Sequence, residues 1–149
     1  MIKAKLDRVA IIVRDVNQAV ADMEKMLGCE FYGPFDDKAP GLVVALPKSG
    51  GIELVSPARD DDAIGASKTL ETRGEGIAGI SLRVDDIEAA ERHFAELGLK
   101  PDVRISHGGF SEIIFLAQEA THNVELSICV YPESHGMGLE VARDLGVEV

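Results

Sequence analysis

The chain has no run of Lys or Arg. Its 26 acidic residues outnumber 15 basic ones, giving a formal charge of −11 and a pI near 4.7. A surface of that sign repels phosphate backbones and anionic membranes unless a basic patch offsets it, so neither nucleic acid nor membrane is an expected partner. Long hydrophobic runs are also missing. Nothing approaches the ~18–20 apolar residues that span a bilayer, and the apolar part of MIKAKLDRVAIIV is too short for a secretory h-region. Cysteine is scarce. Cys29 and Cys129 form no CxxC pair and lie in apolar stretches, as free buried thiols in a reducing cytosol do. A cytoplasmic protein is expected, and the two thiols could pair only if the fold brought them together. There is no nucleophile elbow, phosphate-cradling glycine loop or zinc-ligand motif. What remains is 149 residues, 46% hydrophobic, enough for one domain with an ordinary core.

The chain states one plan twice. Leu6–Gly28 (LDRVAIIVRDVNQAVADMEKMLG) and Ile77–Gly98 (IAGISLRVDDIEAAERHFAELG) each run through an apolar strand, an Asp, an amphipathic helix and a Leu-Gly stop. Arg8 lies five residues before Val13 and Gly79 five before Val84, an offset of 79 − 8 = 71 that Asp15 and Asp86 keep. Further on, GIELVS at 51–56 is answered by NVELSI at 123–128, which sets Glu53 and Glu125 125 − 53 = 72 apart. So long a period suits a duplicated module, not a short-repeat solenoid.

Read in order, Val9–Val13 is a β-branched strand. Asp15 is placed to cap a helix whose stripe is Val16, Ala19, Val20, Met23, Met26 and Leu27, and Gly28 suits its left-handed stop. Glu30–Gly33 reads as a short strand, Pro34–Pro40 as a loop, Leu42–Leu46 and Ile52–Ser56 as strands around a Lys48–Gly51 turn. Small, acidic ARDDDAIGASK follows, with a helical turn over Ala66–Thr72; Asp60–Ala66 is expected to be mobile because it can bury little apolar area. The second pass gives a strand at Gly79–Val84 and a helix capped by Asp85 or Asp86 with Ile87, Ala90, Phe94 and Leu97 inward. Strands follow at Pro101–Ile105, Glu112–Leu116 and Val124–Val130, with a turn at His107–Gly109 and a last short helix around Leu139–Leu145. The expected fold is α+β: two tandem β-α-β-β-β modules, 5–57 and 76–132, joined by a connector at 58–75 and followed by a tail at 133–149. As one domain they form a curved mixed sheet around a cup, helices outside.

The doubled plan, the stretch Arg73-Gly74-Glu75-Gly76-Ile77 leading into Val84-Asp85-Asp86-Ile87, and the paired Ile52-Glu53-Leu54 and Val124-Glu125-Leu126 resemble the vicinal oxygen chelate superfamily. That superfamily includes glyoxalase I, bleomycin-resistance proteins, extradiol dioxygenases and methylmalonyl-CoA epimerase, and the epimerase branch is the most similar. The resemblance covers about residues 5–132. It implies a cup holding a divalent metal on four ligands, His from each module's first strand and Glu or Gln from each last strand. Here those positions are Arg8, Gly79, Glu53 and Glu125: both glutamates are kept and both imidazoles are missing. The epimerase branch also carries an acid–base Glu before its third strand, where this chain has Ala39.

With the metal site degenerate, no cofactor is expected. A cation on Glu53 and Glu125, with His107, His122 or His135 as substitute ligands, is the minority alternative. Arg8 is expected to point into the cup and stand in for the ion, either as a buried salt bridge or as the group that binds a ligand carboxylate or enolate oxygen. The candidate catalytic residues are therefore Glu53, Glu125 and Arg8, and the candidate ligand contacts are Arg8 and His107. His93 reads as a surface residue. Phe31, Tyr32, Phe35, Phe110 and Phe115 read as either core or pocket lining. Two functions stay open: metal-independent proton transfer beside a carbonyl, or small-molecule sequestration of the bleomycin-resistance type. They are separated by whether Arg8 ties up both glutamates or leaves one free in an open cavity. The resemblance also implies a homodimer.

Overall fold

The computed structural model describes residues 2–49, 51–134, 136–147 and 149. His135 and part of the Lys48–Gly51 turn lie outside the described residues. The first module comprises β1 (Lys5–Ile12), α1 (Val16–Leu27), β2 (Phe31–Asp37), β3 (Leu42–Pro47) and β4 (Ile52–Pro57). After α2 (Ala66–Thr72), the second comprises β5 (Gly76–Arg83), α3 (Ile87–Glu96), β6 (Val103–His107), β7 (Phe110–Phe115) and β8 (Glu125–Val130), and α4 (Gly136–Asp144) follows. The eight strands form one sheet in the order β2-β3-β4-β1-β5-β8-β7-β6. Each module's first and last strands pair in parallel, and β1 and β5 join the modules antiparallel.

Local chemistry sets the helices. The Asp15 and Asp86 side chains accept from Gln18 N at 3.1 Å and Ala89 N at 2.9 Å, satisfying first-turn amides that have no intrahelical partner. Gly28 ends α1 at φ 67°. On the convex side, α1 buries Val16 and Ala19 against Val13, Phe31, Ala45 and Leu54, while α3 buries Ala90 against Val84, Ile113, Phe115 and Ile128. The third core fills the cup. It joins Ile12, Leu42, Val44, Leu46, Val55, Phe110 and Cys129 to Ala66 of α2 and to Met137 and Val141 of α4. Phe35 and Phe110 thus face the cup, whereas Phe31 and Phe115 belong to the outer cores.

Several expectations need correction. The stretch Pro34–Asp37 is strand, not loop; β2 absorbs Pro34, which has no N–H to donate, at a register shift between Tyr32 and Phe35 near the sheet edge. Leu97 caps α3 and stays 63% exposed, outside the inward stripe. The connector is solvated over residues 58–61 but not over 62–67. Asp62 is buried and accepts from Ala66 N (2.8 Å) and Ser67 N (3.0 Å), and Ala63 N donates to Pro40 O at 2.8 Å. The tail helix forms and lies inside the cup: Gly138, where a Cβ would come within 2.8 Å of Pro47 O, lets α4 settle onto β3 and Tyr32.

Candidate functional site

Register places the expected quartet. Glu53 pairs with Ala10, Ala10 with Gly79, and Gly79 with Glu125, so the two glutamates lie in one row across four strands. Cys129 shares a face of β8 with Glu125 and belongs to the core of the cup, so the row faces inward. Three strand spacings, about 14 Å along the sheet, separate the glutamate backbones. Arg8 stands two residues from Ala10 on β1, and its guanidinium is directed to Glu53 and to Cys129, four residues along β8 from Glu125. Among the described residues it makes no bond to Glu125.

Arg8 serves the near half. Its Nε donates to Glu53 Oε2, Nη2 to Glu112 Oε1 at 2.7 Å, and Nη1 to Asp7 Oδ2 at 2.9 Å. The expected contact with a glutamate is present, and the structure adds Glu112 of β7 and Asp7, which sequence reading missed. Nη1 also faces Cys129 Sγ at 3.6 Å, and Tyr131 OH donates to Asp7. Arg8 is 3% exposed. Burial opposes its charge, but Glu53 and Glu112 more than offset that and hold it protonated. Burial pushes the Glu112 carboxyl above its ordinary value, against the pull of Arg8.

This half is roofed by α4. Met137, Val141 and Ala142 are buried there, and Gly109 N donates to Glu140 Oε2 at 3.1 Å. His107, at the end of β6, bridges Asp37 Oδ2 (2.9 Å) and Asp144 Oδ2 (2.7 Å). Burial lowers its pKa, but the bonds to the two carboxylates raise it further, for a net rise above 6.5. The space left beside Arg8, Glu53, Glu112 and His107 is about 40 Å³, little more than one water. His107 therefore ties α4 to the sheet in place of reaching over an open mouth.

The far half is open. Glu125 lines a cavity of about 390 Å³ walled by one face of α2 (Gly65, Lys68, Thr69, Thr72, Arg73), by Leu116, Ala117 and Asn123, and by Ile12 and Ala78. It makes no ion pair among the described residues. Burial, then repulsion from Glu112, Glu53 and Asp62, raises its carboxyl from 4.5 to about 7. Asn123 comes from a tight turn after a single 3-10 turn at Glu119–Thr121 and was not singled out by sequence, nor were Lys68 and Arg73.

A model of the glyoxalase/bleomycin resistance protein/dioxygenase superfamily matches residues 7–115. The chain belongs to that superfamily. A search of curated proteins by sequence finds no match. Among solved structures, methylmalonyl-CoA epimerase from Mycobacterium tuberculosis aligns with a TM-score of 0.72 and 22% identity, over 83% of this chain and 85% of that one. A Streptomyces coelicolor methylmalonyl-CoA epimerase variant in complex with 2-nitronate-propionyl-CoA aligns with a TM-score of 0.77 and 20% identity, over 92% and 100%. A hypothetical protein from Bacillus halodurans gives 0.75 and 23%, over 91% and 99%. At these identities the likeness is one of fold.

The superfamily's divalent metal does not fit the donors of this member. Glu53 is engaged by a guanidinium that keeps its proton. At Gly79 a Cβ would meet Glu125 O at 2.3 Å and Glu125 Cβ at 2.7 Å, so no ligand side chain can enter from that position. Among the described residues no three His, Cys, Asp or Glu side chains gather as metal ligands do. His122 is exposed and left-handed at φ 54°.

Proposed function

We propose that this superfamily member transfers a proton at a carbon beside a carbonyl, in a small organic molecule held between α2 and β8, with Glu125 as the base and no divalent metal. One observation carries the reading. Of the two last-strand glutamates, Arg8 claims Glu53 and leaves Glu125 without an ion pair among the described residues, on a cavity of ligand size. A carboxyl near 7 is about half ionised at neutral pH and can both take a proton from carbon and return it. Arg8 and Glu53 then act as scaffold, joining β1, β4 and β7. The test is deuterium incorporation from solvent beside the carbonyl of candidate carbonyl compounds, in wild type and in Glu125→Gln. Exchange lost in the variant supports the reading. Ligands that bind tightly without exchange would replace it with the sequestration alternative.

The same reading includes a homodimer in a reducing compartment such as the cytoplasm. Leu6, Ile77, Met26 and Leu27 are each 60–65% exposed, a loss of burial that a second copy would recover, and both cysteines are free thiols. Light scattering should give twice the chain mass of 16.0 kDa; a monomer at micromolar concentration overturns this part.

A further inference from the structure

The cavity beside Glu125 has two walls, and each carries one polar side chain, Asn123 or Lys68, with no partner among the described residues. On β8's side the chain enters through His122 and Asn123, two successive non-glycine residues in the left-handed region at φ 54° and 61°. Such a pair is costly and persists only where its surroundings fix it. Here Asn123 N donates to Gln118 O (2.9 Å), Val124 N to Thr121 O (3.1 Å), and Gln118 and Thr121 cap each other reciprocally. The result sets Asn123 on the cavity wall two residues before Glu125, while its side-chain amide makes no hydrogen bond among the described residues. Opposite, the helical spacing of Lys68, Thr69, Thr72 and Arg73 puts one face of α2 on the cavity. Thr69 and Thr72 donate their hydroxyl protons to Gly65 O (3.0 Å) and Lys68 O (2.9 Å), and Arg73 Nη2 donates to Ile77 O (2.9 Å). Lys68 has no ion pair among the described residues. In a chain of charge −11, this cavity presents two cations against one carboxylate.

We propose that Asn123 and Lys68 select and activate a short 2-oxo acid: the Lys68 ammonium holds the substrate carboxylate, and the Asn123 amide donates to the carbonyl oxygen next to the carbon that Glu125 deprotonates. This rests on the reading of Glu125 as the base. The C–H bond breaks and its proton passes to a Glu125 carboxylate oxygen. The bonding pair becomes the C=C bond of an enolate, whose oxygen gains charge within reach of the amide N–H. Returning the proton to carbon restores the 2-oxo acid, so nothing is oxidised, reduced or consumed. A neutral ester of the same size keeps the acidic carbon and loses the contact with Lys68.

The experiment follows exchange at C3 of 2-oxobutyrate and of its methyl ester in D2O by proton NMR, with full-length wild type, Glu125→Gln, Asn123→Gly, Asn123→Asp and Lys68→Gln. Gly and Asp both tolerate the left-handed turn and neither donates, so a fold defect is not the expected source of any loss. Both Asn123 variants should lower kcat about 100-fold with KM nearly constant, the size seen when one oxyanion donor is removed. Lys68→Gln should raise KM for 2-oxobutyrate about ten-fold and shrink the preference for acid over ester by the same factor. If wild type exchanges and Glu125→Gln does not, but the Asn123 and Lys68 variants match wild type, this inference fails while the role of Glu125 stands. If wild type exchanges neither compound above the solvent rate, this inference fails, and the role of Glu125 is decided by exchange in the wider set of carbonyl compounds.

Discussion

Replacing Glu125 with Gln should stabilise the protein, and only once the pH is high enough to charge the glutamate. Burial first, then repulsion from Glu112, Glu53 and Asp62, lifts the folded-state carboxyl from 4.5 to about 7. The folded chain therefore binds this proton more tightly than the unfolded chain, and the group's contribution falls as pH rises from 4.5 through 7. Below 4.5 both states are protonated and the penalty is absent. At roughly 1.4 kcal/mol per pH unit, that interval would cost about 3.5 kcal/mol for a group sealed from water. Glu125 is only half-buried, and solvent screening leaves about 1–2 kcal/mol. Gln keeps the shape and never ionises. Urea unfolding should thus give superimposable stabilities for wild type and Glu125→Gln near pH 4. A gap of about 1–2 kcal/mol in favour of the variant should open between about pH 5 and 7. The same variant should lose exchange activity, the pairing of gained stability and lost function expected where a site is strained for its chemistry. A difference independent of pH, or a variant less stable than wild type near pH 8, would refute the reasoning.

Arg8→Met should cost about 3–5 kcal/mol in urea unfolding, because Asp7, Glu53 and Glu112 are left around an uncharged side chain. Adding Glu53→Gln and Glu112→Gln should recover most of it, and a single variant within 1 kcal/mol of wild type would contradict the buried ion cluster. Asp144→Asn should loosen α4 by about 1 kcal/mol at pH 6. The folded pKa of His107 is raised, so the stability it contributes is complete below 6.5 and fades as pH climbs through the folded value; the melting loss should shrink by pH 9, and an equal loss at both pH values would count against the latch. Gly79→Ala should destabilise by about 2–3 kcal/mol, since its Cβ meets backbone that cannot move aside. For the same reason, Arg8→His with Gly79→His should show no Zn²⁺ binding by calorimetry.

What the sequence revealed was mostly local. The caps at Asp15 and Asp86, the stop at Gly28 and the strand patterns need only neighbouring residues, and each formed within a few positions of its expected place. Pro34–Asp37 misled because turn residues can also sit near a sheet edge, where a missing ladder bond costs little. Within the connector, composition does not show that acidic Asp62 is buried as the acceptor of two α2 amides. Glu112 had a usable signal, a lone acid inside the apolar strand FSEIIF, since a charge at an inward strand position needs a partner. The tail was legible as a helix, but its docking in the cup depends on contacts over a hundred residues away in sequence. Asn123 gave no signal beyond being a residue that tolerates the left-handed region.

The two lost imidazoles are not equivalent losses. The resemblance implies a cation shared by both halves of the cup, and this chain replaces it with Arg on one side and Gly on the other. Arg8 bonds Glu53 of β4 and reaches across to Glu112 of β7 and to Cys129, four residues along β8 from Glu125, so it neutralises Glu53 and Glu112 but not Glu125. Once neutralised, the near half can be covered, and α4 seals it with Met137 and Val141. Gly79 can offer the far half nothing, and the backbone and Cβ of Glu125 leave no room for a side chain there. No protein cation pairs with Glu125 among the described residues, so its buried charge is most simply relieved by a proton, which is why its carboxyl rises to about 7. The raised carboxyl at Glu125 thus follows from which of the two imidazole positions received the Arg.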